Sequence, residues 1–196
     1  LLPIIGELSK WTNLPLVVKP NAGLPDPITN TYDITPEEFA SYVADMTNYG
    51  IRVVGGCCGT NPEYIKATIK KLSTIHPNVE KKEIPSAVCS SSKTVVINQP
   101  RIIGERINPT GKKRFKEALK NNDLDYILGQ AIEQAQGGAE ILDVNVGLPG
   151  IDEKEMMIKT VKALQGVTNL PLQLDSTIPE VLEAALRVYN GKAIVN

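Results

Sequence analysis

Short β-rich runs alternate with amphipathic helical stretches along most of this chain, and that alternation is the feature that most restricts its fold. "LPLVVKPNAGLP" is followed by "TPEEFASYVADMTNYG", and "IRVVGGCCG" by "NPEYIKATIKKL". Both helical stretches open on a cap residue, a proline and glutamate, the order that an α-helix N-terminus favours. Further along, "RIIGERIN", "AEILDVNVG", "LPLQLDST" and "KAIVN" read as strands separated by helices, with a break near Asn121 and Asn122. Strands that alternate with helices imply β/α units and a parallel sheet.

The strand runs also end on polar residues: Asn21, Cys57 and Cys58, Asn108, Asp143 and Asn145, Asp175, and Asn196. In parallel α/β folds, and above all in the (β/α)8 barrel, the loops at the strand C-termini build the active site. A barrel takes roughly 250 residues, and this chain of 196 has two β/α units before residue 73 and fewer than four after residue 100. The expected class is therefore α/β, with parts of two TIM-type barrels joined by a linker and neither barrel complete. The expected boundaries are 1–72 for the end of the first barrel, 73–100 for the linker and 101–196 for the start of the second. The linker reading rests on the absence of a helical period, on its prolines and on a serine run. Both ends of the chain read as cuts, because it opens in an apolar helical pattern without methionine and stops in a strand.

Composition narrows the function. A formal net charge of -1, with basic residues interleaved with acidic ones, gives no footprint for nucleic acid. The apolar runs fall far short of the roughly 20 residues that span a bilayer. Three cysteines in a chain of this size do not make a disulfide framework. A cytoplasmic protein, binding neither membrane nor nucleic acid, is expected.

Cys57 and Cys58 are neighbours in "GGCCGTNPEYI". Adjacent side chains of a regular strand point to opposite faces, so the two thiols can share a metal only where the backbone leaves strand geometry. Gly55, Gly56 and Gly59 permit that departure. Two thiolates make half of a tetrahedral zinc shell. Two small buried side chains at a strand end explain the pair equally well, and His76, beside a proline in the linker, is a poor further ligand.

"VVGGCCGTNPEYI" together with the earlier "KPNAGLP" resembles the homocysteine S-methyltransferase family. The resemblance implies that Cys57 and Cys58 bind a zinc that takes the homocysteine thiol, with a third cysteine upstream of Leu1. It also implies that Asn21 contacts the metal or the substrate, although a loop residue capping its own backbone is an equal reading of "PNAG".

The strand ends "IIGERINPTG", "LDVNVG", "LQLDST" and "AIVN" resemble, in that order, the pterin-binding domain of methyltetrahydrofolate methyltransferases. Strand period puts Asp143 with Asn145, and Gln173 with Asp175, on one face, opposite Leu142, Val144, Leu172 and Leu174. The resemblance implies a pterin pocket lined by Asn108, Asp143, Asn145, Asp175 and Asn196, in which Asp175 and Asn196 are the catalytic positions and Asn196 hydrogen-bonds near N5. Glu105 is read as an internal ion pair with Arg106. The two resemblances in sequence imply a methyltransferase that moves a methyl group from 5-methyltetrahydrofolate via cobalamin to zinc-activated homocysteine, with the cobalamin carried by a domain or protein outside this chain. The alternatives are a non-catalytic interdomain fragment whose sites are completed by other segments, and a pterin-dependent corrinoid methyltransferase.

Overall fold

The structure, a computed structural model, describes residues 1–75 and 81–196, so His76 lies outside the described residues. The chain divides into two compact units, Leu1–Ile84 and Pro85–Asn196.

The first unit follows the order α1 (Leu2–Leu8), β1 (Leu16–Val18), α2 (Pro36–Met46), β2 (Ile51–Val54) and α3 (Pro62–Leu72), with a 3-10 turn at Thr47–Tyr49. Helix α2 starts where the cap signal predicts. Thr35 Oγ1 accepts the Glu38 N–H, and the Glu38 carboxylate accepts the Thr35 N–H at 2.9 Å, so two orphan donors are satisfied reciprocally. Asn61 does the same work for α3 by accepting the Glu63 N–H at 2.9 Å. Strands β1 and β2 pair in parallel, Leu16 opposite Ile51 and Val18 opposite Val54. Ile5, Val18, Met46 and Ile51 form one small core, and Ala22, Phe39, Val43 and Tyr64 form another. In the second, the Phe39 and Tyr64 rings meet edge to face at 5.6 Å.

The second unit opens with an antiparallel hairpin, β3 (Ala87–Cys89) and β4 (Thr94–Val96). A parallel sheet of β5 (Ile103–Ile107), β6 (Ile141–Val144), β7 (Leu172–Leu174) and β8 (Ile194–Val195) follows, its strands adjacent in chain order. Helices α4 (Lys113–Lys120) and α5 (Leu124–Gln136) connect β5 to β6, α6 (Glu153–Val167) connects β6 to β7, and α7 (Pro179–Leu186) connects β7 to β8. The break between α4 and α5 falls at the predicted place, where Asn122 turns left-handed at φ 57 and Asp123 caps α5 through the Tyr126 N–H. Leu142, Val144, Leu172 and Leu174 are no more than 1% exposed and form one core with Phe115, Leu119, Ile127, Met157, Val161 and Leu164 from the helices. This is the α/β, parallel-sheet class expected from the alternation.

The hairpin is the element that the sequence reading did not contain. Each of its strands has three residues, too few to display a period of two. It gains its stability from tertiary partners: Val88 and Val95 pack with Ile141 and Ile194, the first residues of β6 and β8. Cys89 and Lys192 exchange backbone hydrogen bonds of 3.0 and 2.9 Å, and the Tyr189 hydroxyl donates to the Cys89 carbonyl at 2.9 Å.

Candidate functional site

Each unit gathers its polar strand-end residues separately. In the first unit, the loops after β1 and β2 keep exchanging hydrogen bonds beyond the regular strands: Gly55 N–H to the Val18 carbonyl, Cys57 N–H to that of Pro20, and Ala22 N–H to that of Cys58, at 2.9 to 3.0 Å. The Asn21 amide oxygen accepts the Cys58 N–H at 3.2 Å. Asn21 therefore positions the cysteine loop rather than capping its own backbone, and its oxygen is already engaged there.

The two sulfurs lie 3.9 Å apart, and both cysteines are exposed. Neither thiol is packed as a buried apolar group within this chain. Two sulfurs of a tetrahedral zinc shell, with bonds of roughly 2.3 Å, stand about 3.8 Å apart, so the spacing of Cys57 and Cys58 suits that ion. No cluster of three or more cysteine, histidine, aspartate or glutamate side chains occurs among the described residues, so these two sulfurs supply only part of a shell.

The glycines divide the labour. Of Gly55, Gly56 and Gly59, only Gly59 takes a left-handed conformation, φ 79, while at Gly56 the requirement is space: a Cβ there would sit 2.8 Å from the Thr60 Cβ. Thr60 Oγ1 in turn donates to the Cys57 carbonyl at 2.7 Å, which closes the turn that brings both thiols to one side.

In the second unit, register does the positioning. Asp143 lies opposite Gln173 across β6 and β7, and Gln173 Nε2 donates to Asp143 Oδ1 at 2.6 Å. Just past the strand ends, Asn145 Nδ2 donates to Asp175 Oδ2 at 2.9 Å. The face predicted from strand period is the observed one. Asp143 is 3% exposed, and burial pushes its carboxyl above the usual aspartate range; the Gln173 hydrogen bond opposes this, while the Asp175 and Glu105 charges add to it.

Asn196 joins this group through its backbone, its N–H donating to the Leu174 carbonyl at 3.0 Å and its carbonyl accepting the Ser176 N–H at 3.4 Å. Its side chain is exposed and has no hydrogen-bond partner among the described residues. Asn108 sits at the end of β5 with its side-chain oxygen holding the Thr110 N–H at 2.8 Å, a local turn bond. Glu105 does form an ion pair, but with Lys112 at 3.1 Å rather than with Arg106. Adjacent residues on a strand face opposite ways, whereas the loop after β5 folds Lys112 back over Glu105. Gln173 was placed on the inward face from strand period but not among the site residues, whereas Lys112, Glu153 and Ser176 were not picked out from sequence at all.

This is an α/β chain in which residues 1–72 match the homocysteine S-methyltransferase family and residues 104–196 match the pterin-binding enzyme family. Over 98% of its length the chain is 34% identical to the methionine synthase of Mycobacterium leprae and 33% identical to that of Mycobacterium tuberculosis. It is a methionine synthase homologue that spans the junction between those two regions, and it covers 17% of the length of each relative. Two solved dihydropteroate synthases also resemble it. That from Vibrio fischeri ES114 is 18% identical, with a TM-score of 0.38 over 54% of this chain and 38% of the other. That from Xanthomonas albilineans is 24% identical, with a TM-score of 0.37 over 53% and 41%.

Proposed function

We propose that this chain contributes to both substrate sites of a methionine synthase, which moves a methyl group from 5-methyltetrahydrofolate via cobalamin to zinc-activated homocysteine and releases methionine and tetrahydrofolate. In this reading residues 1–72 are the end of a homocysteine-binding barrel, 73–100 the connection, whose later part carries the β3–β4 hairpin packed onto the second unit, and 101–196 the start of a pterin-binding barrel. The observation that carries it is the pairing of Asn145 with Asp175 and of Gln173 with Asp143, which gathers buried and half-buried polar groups at adjacent strand ends. These groups partner one another, and the two carboxylates keep further acceptor sites that the donors of a pterin ring match.

Asp143 and Asp175 accept from the pterin amino group and ring N–H, while Asn108 and Asn145 address its carbonyl and ring nitrogens. Asp175 retains acceptor capacity, because the bond from Asn145 uses one of roughly four lone-pair sites on the carboxylate. An amide is no acid at neutral pH. Asn196 therefore acts by hydrogen-bonding beside N5 and favouring its protonated form, a preorganised electrostatic effect worth about 3 kcal/mol at most. Protonation matters because an uncharged N5 leaves poorly when its methyl group is taken.

Cys57 and Cys58 would hold the zinc, and Asn21 keeps their loop in place through the Cys58 N–H. Zinc, when bound, would supply the charge that strips the proton from the homocysteine thiol; a free cysteine-type thiol, with a pKa of about 8.5, is mostly protonated at neutral pH. Cobalamin would supply a carrier for the methyl group, and no residue of this chain is assigned to it. A cytoplasmic location accords with the exposed free thiols, and among the described residues no helix is long and apolar enough to cross a membrane.

The test separates the two sites in the full protein that carries this chain. Cys58→Ser should abolish methyl transfer to homocysteine and spare methyl removal from methyltetrahydrofolate, and Asp175→Ala should do the reverse. Equal loss of both half reactions in either variant would overturn the reading.

A further inference from the structure

Helix α6 starts with Asp152 as its cap, accepting the Glu155 N–H at 2.9 Å. The helix N-terminus is thereby served, and Glu153 is left for other work. Its carboxylate turns inward and accepts a short hydrogen bond, 2.5 Å, from the hydroxyl of Ser176. Ser176 is 6% exposed and directly follows Asp175; its hydroxyl oxygen also accepts the Ile178 N–H at 3.1 Å, and its own N–H reaches the Asn196 carbonyl.

The second Glu153 oxygen lies against the loop after β6. A Cβ placed on Gly147 would meet Glu153 Oε2 at 3.4 Å and Asn145 Oδ1 at 3.3 Å, and the Gly147 N–H already donates to that Asn145 oxygen. Glu153 is the first residue of α6 and so ends the loop that begins at Asn145, while its carboxylate bonds the loop that begins at Asp175 and, through Ser176, reaches the end of β8 at Asn196. Its base is rigid, because Met156, Met157, Thr160, Val161 and Leu164 anchor α6 in the core.

We infer that Glu153 is a positioning residue for folate binding: through Ser176 it holds the loops after β6 and β7 so that Asn145, Asp175 and Asn196 address one ligand. This rests on the pterin-site reading above. Side chains that must meet a ligand within a few tenths of an ångström need such support from a second layer. The carboxylate acts as an acceptor here, so a glutamine, whose side-chain oxygen can also accept the Ser176 hydroxyl, should serve nearly as well.

The experiment measures tetrahydrofolate binding by titration calorimetry, with thermal unfolding alongside, in the full protein that carries this chain. Glu153→Ala and Ser176→Ala should each weaken binding about tenfold, one lost hydrogen bond's worth of positioning at a charged group. Glu153→Gln should recover most of that loss, and the double variant Glu153→Ala/Ser176→Ala should bind no more weakly than the worse single variant. Should Glu153→Ala not fold, Ser176→Ala and Glu153→Gln give the same comparison. Unchanged affinity in Ser176→Ala, a glutamine no better than alanine, or additive losses in the double variant would overturn the inference. Asp175→Ala is the control for the underlying reading: if it binds tetrahydrofolate like the wild type, the pterin site itself is wrong, whereas lost binding in Asp175→Ala with none lost in Ser176→Ala sinks the positioning role alone.

Discussion

Asp143 and Gln173 face each other across β6 and β7, and the 2.6 Å bond between them leaves a carboxylate that is 3% exposed with one neutral donor and, among the described residues, no cationic hydrogen-bond partner. Burial raises its pKa above the ordinary 3.8. The folded state therefore holds this proton at pH values where the unfolded chain has already lost it. The corresponding contribution to stability is complete below 3.8 and is lost as pH rises through the folded-state value. Asp143→Asn keeps an acceptor for Gln173 and removes the buried charge. It should raise the urea midpoint at pH 7 and give no advantage at pH 3; a variant less stable than the wild type at pH 7 would contradict this account.

Gly59 is required by its left-handed backbone, and a Cβ there would also fall 2.4 Å from Tyr32 Cγ. Gly59→Ala should cost on the order of 1–3 kcal/mol. Trp11 belongs to the same unit and is the only tryptophan, so its fluorescence reports the loss in a urea titration. An unchanged midpoint would mean that the turn relaxes freely.

The 3.9 Å separation of the Cys57 and Cys58 sulfurs predicts a shared ion. Zinc content by mass spectrometry of metals should fall at least tenfold in both Cys57→Ser and Cys58→Ser. Full zinc in either serine variant would remove that cysteine from the ligand set. Chelation of the wild type should leave the thermal transition of tetrahydrofolate-bound protein within about 2 °C, because the pterin residues lie in the other unit.

Leu142 is completely buried on β6, on the face opposite Asp143, where it belongs to the core shared by the sheet and helices α4 to α7. Leu142→Ala should cost about 2–5 kcal/mol through lost transfer energy and a cavity. Circular dichroism through a urea titration checks the value, and a loss below about 1 kcal/mol would show that the core collapses around the gap.

Much of the fold could be read along the chain because its signals are local. The caps at Thr35 and Asn61, the break at Asn122, and the inward face of Asp143, Asn145, Gln173 and Asp175 all depend on residues within a few positions of one another. Backbone periodicity and capping chemistry carry that information without help from the rest of the molecule. Other features had no such local source. The hairpin at Ala87–Val96 exists because Ile141 and Ile194 cover its valines, and Lys112 reaches Glu105 only because the intervening loop turns back. The Cys58 N–H is held by Asn21, 37 positions earlier in the loop after β1, and the bond from Ser176 to Glu153 joins a helix start to a strand end 23 positions on. Side chains that meet across such distances are brought together by sheet register and core packing, so these contacts were decided by the tertiary structure, while the chemical kinds of the groups that meet were already written in the order of the residues.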